Sequence, residues 1–207
     1  MSFEDRARYV SKQERIGIFG GTFDPIHNAH IDIARAALEE ARLDRIIFVV
    51  SARPPHKQGG PYASPEDRFD MAAAAVQENP RFEVSRVEID REGPSYMVDT
   101  LDEIAEIHRD ASLFLIIGLD SFLDLPKWKD PEGILSRARL LVIRRPNLPD
   151  EAPVPVKGRY DVLAFPETDL SSTEVRDRIV AEAPFGDLVP PPVARLIRER
   201  GIYRVDH

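Results

Sequence analysis

The chain has 207 residues, 43% hydrophobic and 31% charged, with a net charge of -8 and no cysteine. That balance suits one folded domain and excludes a disulfide framework, a thiolate metal site and a cysteine nucleophile. No apolar run approaches the roughly 20 residues that cross a bilayer, residues 1–15 lack the apolar core of a secretion signal, and the acidic balance argues against a nucleic-acid binder, so a cytoplasmic protein with no membrane or nucleic-acid partner is expected.

Residues 1–14 read as a flexible N-terminal tail on a single domain spanning 1–207. Short segments rich in Ile, Val or Phe then recur at 16–19, 46–50, 82–87, 113–117, 140–143 and 162–165 and are predicted strands. Between them, 31–42, 65–77, 98–109 and 172–181 carry the period of amphipathic helices, and a last helix places Arg195, Arg198, Arg200 and Arg204 opposite Val193, Leu196 and Ile197. The alternation predicts an α/β fold, a Rossmann-like parallel sheet with helices on both faces, whose ligands sit beyond the carboxyl ends of the strands. Two proline-rich loops, 52–65 and 144–160, read as surface loops over the sheet edge, the first as a lid.

The chemistry concentrates in 20–30, GGTFDPIHNAH, between the first strand and the first helix. Paired glycines let the backbone turn sharply and approach a ligand, and the helix start offers unpaired N–H groups and a positive dipole end that favour phosphate. His27 and His30, three apart, project from one face if both lie on the first turn. Each feature alone is ordinary turn or cap chemistry, Asp24 included; their conjunction points to an anion site, which fits better than a metal site because no third ligand lies nearby. A second stretch, 171–176, pairs Ser171 with Glu174 as a capping box and leaves Arg176 within reach of the same anion.

With these pieces in place the chain resembles the HxGH nucleotidyltransferases, and among them the bacterial nicotinate mononucleotide adenylyltransferases. Further matches are Pro54-Pro55-His56-Lys57, Pro94-Ser95-Tyr96 with Thr100-Leu101, Ile117-Gly118-Leu119-Asp120, Leu125-Pro126-Lys127-Trp128, Arg144-Arg145-Pro146, Leu188-Val189-Pro190 and Ile202-Tyr203. The resemblance implies a nucleotidyltransferase fold and an enzyme that joins ATP and nicotinate mononucleotide into nicotinate adenine dinucleotide and pyrophosphate in NAD biosynthesis, with Mg2+ carried by the ATP phosphates. It implies that Gly20, Gly21 and Thr22 contact phosphates and that His27 and His30 hold the ATP phosphates. Lys57 and Arg176, with Arg145, would neutralise the triphosphate. Gly118 and Asp120 would lie along the nucleotide, Ser172 and Thr173 by its ATP end, and Tyr96, Thr100 and Trp128 at the mononucleotide. Trp128 could equally fill core; as a site residue it would stack on the cationic pyridine ring. Three positions depart from the pattern: Ala29 for glycine, Met97 for threonine and Asn147 for glycine. Competing readings are another transferase of the superfamily, such as one acting on phosphopantetheine, and a non-catalytic nucleotide-binding regulator. The sequence is compatible with a monomer or a homo-oligomer.

Overall fold

The computed structural model describes residues 13–54, 62–144, 160–165 and 170–204. Six parallel strands, β1 (Arg15–Gly21), β2 (Arg45–Val50), β3 (Phe82–Ser85), β4 (Ser112–Gly118), β5 (Ala138–Arg144) and β6 (Tyr160–Ala164), form one sheet in the order β3-β2-β1-β4-β5-β6. Register keeps apolar residues side by side: Ile18 of β1 lies between Ile47 of β2 and Leu115 of β4. Successive side chains alternate between faces, as a pleated strand requires. Phe48, Phe114 and Leu141 enter one core, while Ile18, Leu115 and Leu140 enter the other.

Helices cover both faces. The first core is closed by α1 (Asn28–Glu40), α2 (Pro65–Val76), α7 (Ser172–Val180) and α8 (Pro191–Arg200); the second by α4 (Met97–Ile107), α5 (Leu119–Asp124) and α6 (Pro131–Arg137). The chain runs outward from β1 through β2 to β3 and then returns to β4 on the other side of β1. A crevice therefore opens beyond the carboxyl ends of β1 and β4, where the winding reverses. Among the described residues no helix is long and apolar enough to cross a membrane.

All six predicted strands are present, with two differences at the third and around it. β3 stops at Ser85, and Val87 instead opens a single helical turn, α3 (Val87–Asp90). α5, a 3-10 turn at Leu125–Lys127 and α6 were not foreseen, because each is too short to display a hydrophobic period. α6 does carry a start signal: Asp130 accepts from Gly133 N at 2.9 Å, with Pro131 in the first turn. Of the expected tail, residues 1–12 lie outside the described residues, while Glu14 is held, its carbonyl accepting from Ser112 N and its carboxylate pairing with Arg45.

Candidate active site

The glycine pair ends β1, and Gly21 O accepts from Ser51 N at 2.8 Å, which ties the β1 and β2 exits together. A Cβ on Gly21 would stand 2.7 Å from the Phe23 ring. Phe23 is buried at a left-handed φ of 49°, a conformation that costs a residue with a side chain about 1 kcal/mol or more. Its ring meets those of Phe19 and His30 edge-on, at 5.7 and 5.1 Å. Gly21→Ala must displace that ring. It is expected to destabilise the protein by about 1–3 kcal/mol in urea unfolding; an unchanged midpoint would show that the ring moves freely.

His27 caps α1 and His30 lies three residues on, with ring centroids 3.7 Å apart. His27 N donates to His30 Nδ1 at 3.2 Å, which fixes the neutral His30 tautomer with its proton on Nε2. His27 Nδ1 is buried without a partner. The helix start differs from expectation: Asn28 N donates to Leu188 O, and His30 N to His27 O, both at 3.0 Å. Those two backbone donors are already satisfied within the protein.

Burial lowers both histidines, His27 to about 4 and His30 well below its ordinary value, with the His27 charge a second cause for His30. In the unfolded chain each titrates near 6.5. Between pH 6.5 and about 4 the unfolded state thus binds more protons, and stability rises with pH across that window. Denaturation at pH 7 and pH 5 is expected to show a smaller acid loss for His27→Asn than for the parent chain; equal losses would remove His27 from the account.

Asp24 is not a helix cap but a buried hub. Its carboxylate accepts from Tyr62 N (2.8 Å), Ala63 N (3.1 Å) and the Tyr203 hydroxyl (2.9 Å). Burial, and then the Asp24 charge, raise the Tyr203 hydroxyl far above its usual range, so it stays a donor. Asp24 O accepts from Arg176 at 2.8 Å, and Ser172 Oγ donates to Pro25 O at 2.9 Å. The start of α7 is thereby fastened to the glycine turn from 147 residues away in sequence. Ser171 accepts from Glu174 N, while the Glu174 carboxylate turns to Arg178 at 2.7 Å, so the side-chain half of the expected capping box is diverted. Arg176 also donates to Thr173 Oγ1 and lies 4.3 Å from the Tyr62 ring centroid.

Two cavities flank the ends of β1 and β4. One, about 290 Å³, is lined by His27, His30, Gly118, Asp120, Ser171 and Ser172 among others. The second, about 210 Å³, is lined by Gly20, Gly21, Ser95, Tyr96, Met97 and Trp128 among others. Consecutive residues divide them: Phe19 and Asp120 line the first, Gly20 and Ser121 the second. A Cβ on Gly20 would stand 2.6 Å from Met97 Cε, so the methionine that departs from the family pattern occupies space that the glycine leaves open.

Not every expected residue reaches a cavity. Thr100 is fully buried behind the second one, its hydroxyl donating to Glu88 at 2.6 Å and accepting from Arg91 at 3.0 Å. Its hydroxyl meets the cavity through Glu88, which lines it, and not directly. Thr22 contributes its carbonyl to Arg68, and Thr173 is exposed. Lys57 and Arg145 lie outside the described residues, as does Asn147. Two polar residues had escaped notice. Arg68, fully buried on α2, donates to the carbonyls of Thr22 (2.7 Å), Ser51 (2.7 Å), Ala52 (3.3 Å) and Ala63 (3.2 Å); Glu88, 4% exposed, lines the second cavity. A charged residue inside an otherwise alanine-rich helical face was the available signal for Arg68. Among the described residues no three His, Asp or Glu side chains group as a metal centre would require.

Comparison with known proteins agrees with this geometry. The cytidylyltransferase-like family model matches residues 18–178. A probable nicotinate-nucleotide adenylyltransferase of Thermus thermophilus is 46% identical over 92% of this chain and 100% of its own length. The nicotinate-nucleotide adenylyltransferase of Bacillus subtilis is 40% identical over 92% of this chain and 98% of its own. In fold, the structure of Plasmodium falciparum nicotinic acid mononucleotide adenylyltransferase complexed with NaAD matches with a TM-score of 0.75 at 18% identity, covering 92% of this chain and 97% of that one. The chain therefore belongs to the cytidylyltransferase-like family and, within it, to the nicotinate-nucleotide adenylyltransferases.

Proposed function

We propose that the protein transfers AMP from ATP to the phosphate of nicotinate mononucleotide, forming nicotinate adenine dinucleotide and pyrophosphate as a step of NAD biosynthesis in the cytoplasm. The observation that carries this reading is the pair of cavities divided by consecutive residues at the ends of β1 and β4, a polar one bearing both histidines and an aromatic one bearing Tyr96 and Trp128. Two nucleotides seated there would meet at the glycine turn.

The chemistry needs no protein nucleophile. A mononucleotide phosphate oxygen bonds to the ATP α-phosphorus as the bond from that phosphorus to the bridging oxygen breaks, and pyrophosphate leaves with the electron pair. Positioning and charge neutralisation supply the catalysis. His27 and His30 donate to phosphate oxygens in the polar cavity, with Gly118, Asp120 and Ser172 along the nucleotide. Arg176, Lys57 and Arg145 supply positive charge, and Mg2+ arrives on the ATP phosphates as part of the substrate. Phosphate contact favours the imidazolium, so at least one of the two histidines is expected to titrate at higher pH with ATP bound than without in proton-detected titration. No upward movement would remove imidazole charge from the mechanism.

Trp128 is assigned to the pyridine ring. Trp128→Ala is expected to raise the mononucleotide KM about tenfold or more while leaving the ATP KM within about twofold; equal rises would mark it as structural. The decisive assay follows pyrophosphate release from ATP and magnesium with nicotinate mononucleotide, nicotinamide mononucleotide and phosphopantetheine in turn. Turnover with phosphopantetheine alone would refute the acceptor and keep the reaction type.

A further inference from the structure

We propose that Glu88 is the counter-charge for the pyridinium ring, so that the aromatic cavity selects a mononucleotide whose base carries a permanent positive charge. The inference rests on the mononucleotide reading above and adds a selecting group to it. Glu88 lines the cavity together with Tyr96 and Trp128. Its Oε1 accepts the Thr100 hydroxyl at 2.6 Å, whereas its Oε2 is buried with no hydrogen-bond partner. Among the described residues it makes no ion pair, and the nearby cations place their hydrogen bonds elsewhere, with the buried Arg68 charge acting on it only through space. Arg91 donates to Glu103 at 2.5 Å and to Thr100, Arg68 to four carbonyls, and Lys129 to Asp99 at 2.8 and 2.9 Å.

A carboxylate left unpaired in a dry site is unfavourable, and a bound cation would offset that cost. The ring nitrogen of a pyridine ribotide suits the place. It is quaternary, so its charge cannot be lost as a proton, and it has no N–H that must be satisfied. The same wall already attracts positive charge: Lys129 Nζ lies 4.8 Å from the Tyr96 ring centroid. Lys129 is the one cation lining this cavity among the described residues, and Asp99 neutralises it. Carboxylate and aromatic face together define a subsite for a flat, weakly hydrated cation.

The test compares, on the full chain, calorimetric binding of nicotinate mononucleotide with that of its neutral isostere, 3-carboxyphenyl C-riboside 5′-phosphate, in which carbon replaces the ring nitrogen. The parent chain is expected to prefer the pyridinium compound by about tenfold or more. Glu88→Gln keeps the shape and the Thr100 contact; it is expected to cut the preference to about threefold or less while leaving affinity for the neutral isostere unchanged. Equal weakening of both ligands would give Glu88 a role in shape alone and overturn the proposal. A parent chain without charge preference would overturn it as well, whether or not the variant folds. If that chain still turned over nicotinate mononucleotide, the function would stand and only the Glu88 assignment would fall. If neither ligand bound and phosphopantetheine reacted, both would fall.

Discussion

His30→Ala is expected to lower kcat by about 10²–10³-fold, the usual cost of removing one preorganised donor from developing phosphate charge. His30 lines the polar cavity, and its Nδ1 is occupied by His27 N, which leaves the Nε2 proton free to donate. The mononucleotide KM should change little, because the other cavity is lined by different residues. His30 also packs against Phe19 and Phe23, so alanine removes apolar contact as well. His30→Asn separates the two effects, since it restores a side-chain N–H without the ring. Pyrophosphate release by asparagine well above that of alanine, with equal thermal stability, supports donation. If alanine retains kcat within about threefold, His30 is a packing residue and the mechanism loses its central donor.

Arg68→Met is expected to cost about 3–5 kcal/mol, lowering the melting temperature by about 10 °C for a chain of this size. The side chain is fully buried, and its guanidinium donates to four carbonyl oxygens on two loops: Thr22 beside the glycine turn, and Ser51, Ala52 and Ala63 at the two ends of the connection from β2 to α2. Methionine fills similar volume but leaves those carbonyls unsatisfied in a dry site, which is the larger part of the expected loss. Burial lowers the guanidinium pKa, an effect opposed first by Asp24 and then by Tyr203 and Glu88. A loss below about 1 kcal/mol would mean that the loops hold their shape without this tie.

The same residues show where sequence reading reaches its range. Strands were legible because burial on both faces demands runs such as Ile46-Ile47-Phe48-Val49-Val50, and no helix period competes over so short a span. α1, α2, α4 and α7 were legible because each is long enough to repeat its apolar face. α3, α5 and α6, of 4, 6 and 7 residues, are not. The boundary of β3 differs for a related reason: Phe82 and Val84 alternate, but the next place in that period is Arg86, and Val87 falls out of phase where the chain turns into α3. In the site, His27 and His30 stood out by type, spacing and place, while Tyr96 and Trp128 entered through the resemblance, and the structure adds which cavity each one lines. Thr100 entered only through the resemblance, and the structure adds that its hydroxyl turns to Glu88 and Arg91.

What the sequence determined by itself was local and additive: the strand and helix periods, the turn where glycines free the backbone, and the types of side chain able to meet phosphate or an aromatic cation. The tertiary structure alone decided what converges. It fastened Ser172 and Arg176 to the Asp24–Pro25 segment from the far end of the chain, gave two of the first α1 backbone donors protein acceptors, and buried the side chains of Arg68 and Glu88. The physical reason is that hydrogen-bond satisfaction and desolvation depend on neighbours distant in sequence, whereas periodicity depends only on those nearby.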